Sequence, residues 1–150
     1  MGVMGGGAAG EDRLPHHLGH GRMNDMAGIY TLGVSPGTVL RYNVIHDVQA
    51  YQSPVGYCLG AGIYLDQSSG EITVEKNVCY NISNAGFFLH HGAKNRVVNN
   101  VFADLDAKGR IGWSMYFTAR GTHADTGNTA TKNIVYGPSA KFAKATRHGA

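Results

Sequence analysis

An all-β chain wound as a parallel β-helix, a single-stranded solenoid of about four coils, is the fold class the sequence predicts. Three observations carry that reading. Twenty-two glycines and eight tyrosines with only 15% charged residues favour short strands broken by turns over helices. Two short motifs recur in alternation along the chain. The asparagines that anchor the second motif, Asn43, Asn77, Asn100 and Asn133, are 34, 23 and 33 residues apart, the length of a solenoid coil with or without an inserted loop. At 150 residues the chain has the size of one domain.

Residues 1–23 read as an irregular Gly/His-rich leader, without the basic start and apolar run of a signal peptide. The parallel β-helix is expected over 24–138, with a tail at 139–150. The first motif appears as AGIYTLG (27–33), AGIYLDQ (61–67), AGFFLHH (85–91) and a worn copy, IGWSMYF (111–117). The second appears as VLRYNVIHDV (39–48), TVEKNVCYNI (73–82), RVVNNVFADL (96–105) and ATKNIVYG (130–137). The longer coils carry loop-like insertions, AYQSPVGYCLG after the first and TARGTHADTGN before the last. Either leader and tail cover the end rungs, or the four coils are a piece of a longer solenoid.

In stacked coils, equivalent positions form columns ~4.8 Å apart. Leu40, Val74, Val97 and Ala130 form one apolar column, and Val44, Val78, Val101 and Ile134 another; both are expected to face inward. The asparagine column reads as structural, its amides bonding along the stack and to the turns. On the first strand of each coil, alternation puts Ile29, Ile63, Phe87 and Trp113 inside, with Thr31, Leu65, Leu89 and Met115. The outward face then carries Tyr30, Tyr64, Phe88 and Ser114 in one column, and Leu32, Asp66, His90 and Tyr116 in the next.

That arrangement places Asp66 and His90 on adjacent rungs, within reach of a charge-assisted hydrogen bond, beside an apolar strip of rings. The pair is either a surface ion pair or part of a site. The rings either stack sugar or are covered by the two inserted loops. His90 and His91 are consecutive on a strand, so they are expected to face opposite ways. Asp47, Asp104 and Asp106 offer oxygen ligands, but no calcium-loop spacing appears, and the sequence predicts no metal and no cofactor. Of the two cysteines, Cys58 and Cys79, the second falls within a strand-like run and reads as a buried free thiol rather than half of a disulfide. A charge of +3 without a polybasic block argues against nucleic acid, and no apolar run is long enough for a membrane helix. The oligomeric state is not written in the sequence.

The run NDMAGIYTLGVSPGTVLRYNVIHDV, followed by GIYLDQSSG, GFFLHHGAKNRVVNNVFAD and KNIVY, resembles the right-handed parallel β-helix proteins of the pectate-lyase-like superfamily. Its motif order looks most like the β-helix proteins around glycoside hydrolase family 141. The resemblance covers residues 20–137. It implies a right-handed solenoid and a polysaccharide or oligosaccharide substrate, met in a secreted or periplasmic setting. It also implies two acidic residues, Asp66 in GIYLD and Asp25 in NDMAGIYTLG. Asp66 would then be general acid or nucleophile with His90 orienting it, and Tyr30, Tyr64, Phe88 and Tyr116 would bind sugar. The alternative is a non-catalytic carbohydrate-binding or structural β-helix.

Overall fold

The computed structural model describes residues 16–20, 25–50, 60–105, 113–120, 126–137 and 141–148. Among them are no helices and fourteen strands: β1 (His16–His20), β2 (Met26–Thr31), β3 (Val39–Arg41), β4 (Val44–Gln49), β5 (Gly60–Leu65), β6 (Thr73–Glu75), β7 (Val78–Tyr80), β8 (Ala85–His90), β9 (Arg96–Val98), β10 (Val101–Ala103), β11 (Trp113–Arg120), β12 (Thr129–Thr131), β13 (Ile134–Tyr136) and β14 (Lys141–His148). Every strand pairs in parallel, and the strands sort into three sheets, one per side of the coil. Sheet I runs β14-β11-β8-β5-β2, sheet II β12-β9-β6-β3 and sheet III β1-β4-β7-β10-β13. No described helix is long and apolar enough to cross a membrane.

The asparagines stack as the sequence predicts, at the corner between sheets II and III. Asn43 Nδ2 donates to Asn77 Oδ1 at 2.9 Å, and Asn77 to Asn100 and Asn100 to Asn133 at 3.0 Å each. Each receiving oxygen also takes the backbone N–H of the asparagine one coil earlier, at 3.0 Å. The second amide hydrogen of Asn77, Asn100 and Asn133 goes to the carbonyls of Leu40, Val74 and Val97. The residue before each asparagine, Tyr42, Lys76, Asn99 or Lys132, turns the corner with φ between 55 and 57°. A side-chain-bearing residue adopts that conformation at a cost of ~1–3 kcal/mol, and the bonded amide beside it offsets the cost.

A second ladder, which the repeat did not reveal, holds the corner between sheets I and II. Asn95 Nδ2 donates to Asn128 Oδ1 at 3.1 Å, and the Ile72 N–H donates to Asn95 Oδ1 at 3.1 Å. Only two of the coils carry asparagine there, so it leaves no four-fold column in the sequence.

The core fills the space between the sheets with Ile45, Ile63, Leu65, Val74, Cys79, Phe87, Leu89, Val97, Phe102 and Met115. The column Leu40, Val74, Val97, Ala130 packs inward as expected. The column Val44, Val78, Val101, Ile134 does not. It lies on the outer side of sheet III, with Ile134 61% exposed, while Ile45, Cys79 and Phe102 take the inside with no exposure. Both alternating sets of these short strands are apolar, so periodicity alone could not choose between them.

The fourth copy of the first motif is also displaced. Met115, not Trp113, pairs with Phe87, and Tyr116 pairs with Phe88. A slip of two residues keeps the same face inside, so alternation did not expose it. Two strands lie outside the expected 24–138 span. β1 continues sheet III within the segment read as an irregular leader, and β14 continues sheet I within the segment read as a tail. Parallel pairing with β4 and β11 supplies order that neither the Gly/His-rich composition of the leader nor the motif-free tail announced. Cys79 is a buried free thiol, raised in pKa by that burial. Cys58, Asp106 and most of the first inserted loop lie outside the described residues.

Candidate functional site

The glycines of the second and third copies of the first motif, Gly62 and Gly86, set up the site. At Gly62 an added Cβ would lie 2.6 Å from the Gly86 carbonyl oxygen and 2.9 Å from Cys79 Sγ, so only glycine lets the strand sit this close to sheet III. Strict alternation also breaks there. Ala61 packs with Tyr64 and Phe88 on one side, and Ile63 and Leu65 enter the core on the other. β5 then delivers Asp66 to the corner at its C-terminal end. The Asp66 N–H donates to Thr31 O at 2.9 Å, and its carbonyl accepts from the Ser69 N–H at 2.8 Å, closing the turn through Gln67 and Ser68. Ser69 Oγ, buried, sits 3.0 Å from Thr31 Oγ1 and ties that turn to the preceding coil.

The carboxylate of Asp66 is held on both oxygens. His90 Nδ1 lies 2.7 Å from Oδ1, and the Tyr30 hydroxyl donates to Oδ2. These contacts cross coils: His90 is one rung on, and Tyr30 one rung back and two residues earlier along its strand. Asp66 is 8% exposed, so the expected exposed carboxylate is corrected to a nearly buried one. Burial by itself pushes its carboxyl up, but the hydrogen bonds from Tyr30, His90 and the Gln67 backbone, with the charge of His90, carry it below the usual carboxylate range. Asp66 is therefore an acceptor, which requires His90 Nδ1 to donate; in the neutral imidazole Nε2 is then the acceptor nitrogen. The His90 side chain is the more exposed of the two, 25% against 12%.

The ring column is likewise more enclosed than expected. Tyr30 meets Tyr64 edge-on at 4.6 Å between centroids, and Tyr64 meets Phe88 at 4.5 Å. Tyr64 and Phe88 are 2% and 4% exposed, which corrects the expectation of a bare strip; of these three rings Tyr30 is the half-buried one. Burial, then the charges of Asp66 and Asp25, push the Tyr64 phenol far up, and burial with the Asp66 hydrogen bond does the same to Tyr30. Both stay protonated donors. Asp25, exposed and in the left-handed region at φ 54°, thus acts electrostatically on the same two phenols that surround Asp66. Tyr116 joins this column in backbone register, next to Phe88 rather than to His90.

The family model for a right-handed β-helix region matches residues 20–102, more than half of the chain, from the end of β1 into β10. The chain belongs to that family. No curated protein and no solved structure matches it. In this right-handed β-helix, the matched stretch contains Asp25, Tyr30, Tyr64, Asp66, Phe88 and His90 together.

One residue of the right-handed β-helix site escaped the sequence. His91 was expected on the face opposite His90, yet the two imidazoles lie 3.9 Å apart. β8 ends at His90, and His91 turns at φ 59°, which swings its ring back alongside its neighbour. The positive φ recurs at Ser68 in the turn after Asp66, so the corner, not the strand, sets the direction of His91. Among the described residues, no group of three or more His, Cys, Asp or Glu is arranged to hold a metal ion.

Proposed function

We propose that the chain is a carbohydrate-active β-helix, similar in kind to glycoside hydrolase family 141, that works on glycosidic bonds of a polysaccharide or oligosaccharide at the outer corner of sheet I. The observation that carries this reading is the His90–Asp66 contact of 2.7 Å, with Asp66 nearly buried and His90 more open. Such an arrangement fixes the tautomer and orientation of an imidazole whose Nε2 can take or give a proton. The roles are thereby exchanged. Asp66, both oxygens engaged, orients; His90 moves the proton. Asp25 is the second carboxylate of the reading, supported by its electrostatic action on Tyr30 and Tyr64, and Tyr30 is the ring available to sugar. The reading carries with it a place of action outside the cytoplasm.

A second reading, a non-catalytic carbohydrate-binding or structural module, is favoured by the burial of Tyr64 and Phe88, which ties most of the ring column into the packing. Turnover separates the two. The native chain, His90→Gln and Asp25→Asn are incubated with a panel of plant and algal oligosaccharides, and released reducing ends are counted. The enzyme reading expects cleavage by the native chain and a loss of ~10²–10⁴-fold in His90→Gln, the size of a general acid–base contribution. Binding without cleavage across the panel would leave the module.

A further inference from the structure

The outer face of sheet III carries a second ladder of rings, and among the described residues its column holds no ring at the Ala103 rung. In backbone register the column reads His46, Tyr80, Ala103, Tyr136. His46 and Tyr80 stack nearly parallel, 4.9 Å between centroids and 6° between planes, so ring spacing here follows the coil spacing. Tyr80 therefore turns its other face toward the Ala103 rung. Tyr136 stands one rung beyond, 69% exposed. Two rungs at ~4.8 Å separate Tyr80 from Tyr136 by ~9.6 Å, room for one further ring at the spacing His46 and Tyr80 already keep. The methyl of Ala103 is the floor.

The neighbouring column shows what such a ring would meet. On the His46 rung Asp47, in the left-handed conformation, reaches the edge of its own rung's ring, with Oδ2 2.7 Å from His46 Nδ1. On the Ala103 rung Asp104 has the same left-handed conformation and the same place in the repeat, just past β10 where Asp47 lies within β4, but the residue before it is Ala103. Asp104 is exposed, and the residue before it offers no ring of its own rung to bond.

We infer that the unfilled rung over Ala103, between Tyr80 and Tyr136, binds one neutral glycosyl ring. The ring stacks its C–H faces on the two tyrosines and donates a hydroxyl to Asp104, as His46 donates to Asp47. An acidic sugar is turned away by the Asp104 charge. The choice of sugar over another ring rests on the carbohydrate reading above; the vacancy itself does not.

The test titrates cellohexaose, trigalacturonic acid and indole into the native chain labelled with ¹⁵N and into variants, following Tyr80 and Tyr136 amides by NMR, with melting temperatures in parallel. Cellohexaose is expected to shift both amides and trigalacturonic acid neither. Ala103→Tyr supplies the missing ring from the protein itself, so it should melt no lower than the native chain and bind cellohexaose at least ~10-fold more weakly. Asp104→Asn should weaken binding while leaving the amides in place, and Asp66→Asn should not alter it. A folded Ala103→Tyr that binds as the native chain does overturns the slot alone. Shifts produced by indole but not by cellohexaose overturn the sugar assignment. Absence of any cellohexaose response at sheet III, while oligosaccharides are cleaved at His90, overturns the slot and spares the carbohydrate reading; absence of binding and cleavage alike overturns both.

Discussion

At Asp66, burial and hydrogen bonding pull the carboxyl in opposite directions, and hydrogen bonding prevails. Because its folded pKa lies below the unfolded value of ~3.9, Asp66 contributes stability that is fully present above that value and lost as pH falls through the folded pKa. Asp66→Asn cannot titrate, so its melting temperature should fall less steeply than that of the native chain below about pH 4. Asp47, lowered by its hydrogen bonds to His46 and Asn81, keeps a residual slope in the variant. Parallel melting curves for the two proteins would show that the Asp66 contacts do not form. The adjacency of Asp66 and His90 was legible because GIYLD and GFFLH align without a gap. The burial of Tyr64 and Phe88 was not, since an apolar outer face reads the same whether it is bare or packed against alanines and other rings. Nor was His91 legible, because alternation says nothing once the backbone turns left-handed.

At the scale of the element, the ladders do what strands of three residues cannot do alone. Sheet II strands such as β6 and β9 contribute few ladder bonds each, and the asparagine column beside them fixes the register of one coil on the next. Asn100 is fully buried, and its removal strands the Asn77 N–H, the Asn77 amide and the Val74 carbonyl at once. At ~1–3 kcal/mol for each unsatisfied buried group, Asn100→Ala should be severely destabilising in urea melts, whereas Asn43→Ala, half-buried at the first rung, should cost far less. Equal losses at the two positions would mean that the amides do not work as a ladder. The first ladder could be read directly from four repeated asparagines. The second could not, and the slipped register of β11 was hidden by a displacement of two that preserves every inside position.

For the molecule as a whole, stacking turns distant residues into neighbours: Tyr30, Asp66 and His90 meet only because parallel coils bring three copies of one motif into line. The repeat made that architecture legible from the sequence, while the edges were not, since β1 and β14 join the sheets without carrying either motif. A rigid stack also means that a bond between rungs is set by the coil and not by a mobile loop, so the state of His90 is built into the fold. The account therefore turns on whether Asp66 holds the imidazole with its proton on Nδ1 and Nε2 ready for exchange with substrate. ¹⁵N NMR of the His90 side chain in its neutral form reads this directly and needs no choice of glycan. The expected spectrum is a single tautomer protonated at Nδ1, replaced in Asp66→Asn by a mixture or by the Nε2-protonated form. A native chain already protonated at Nε2, or one whose His90 nitrogens are unchanged by Asp66→Asn, would contradict the account.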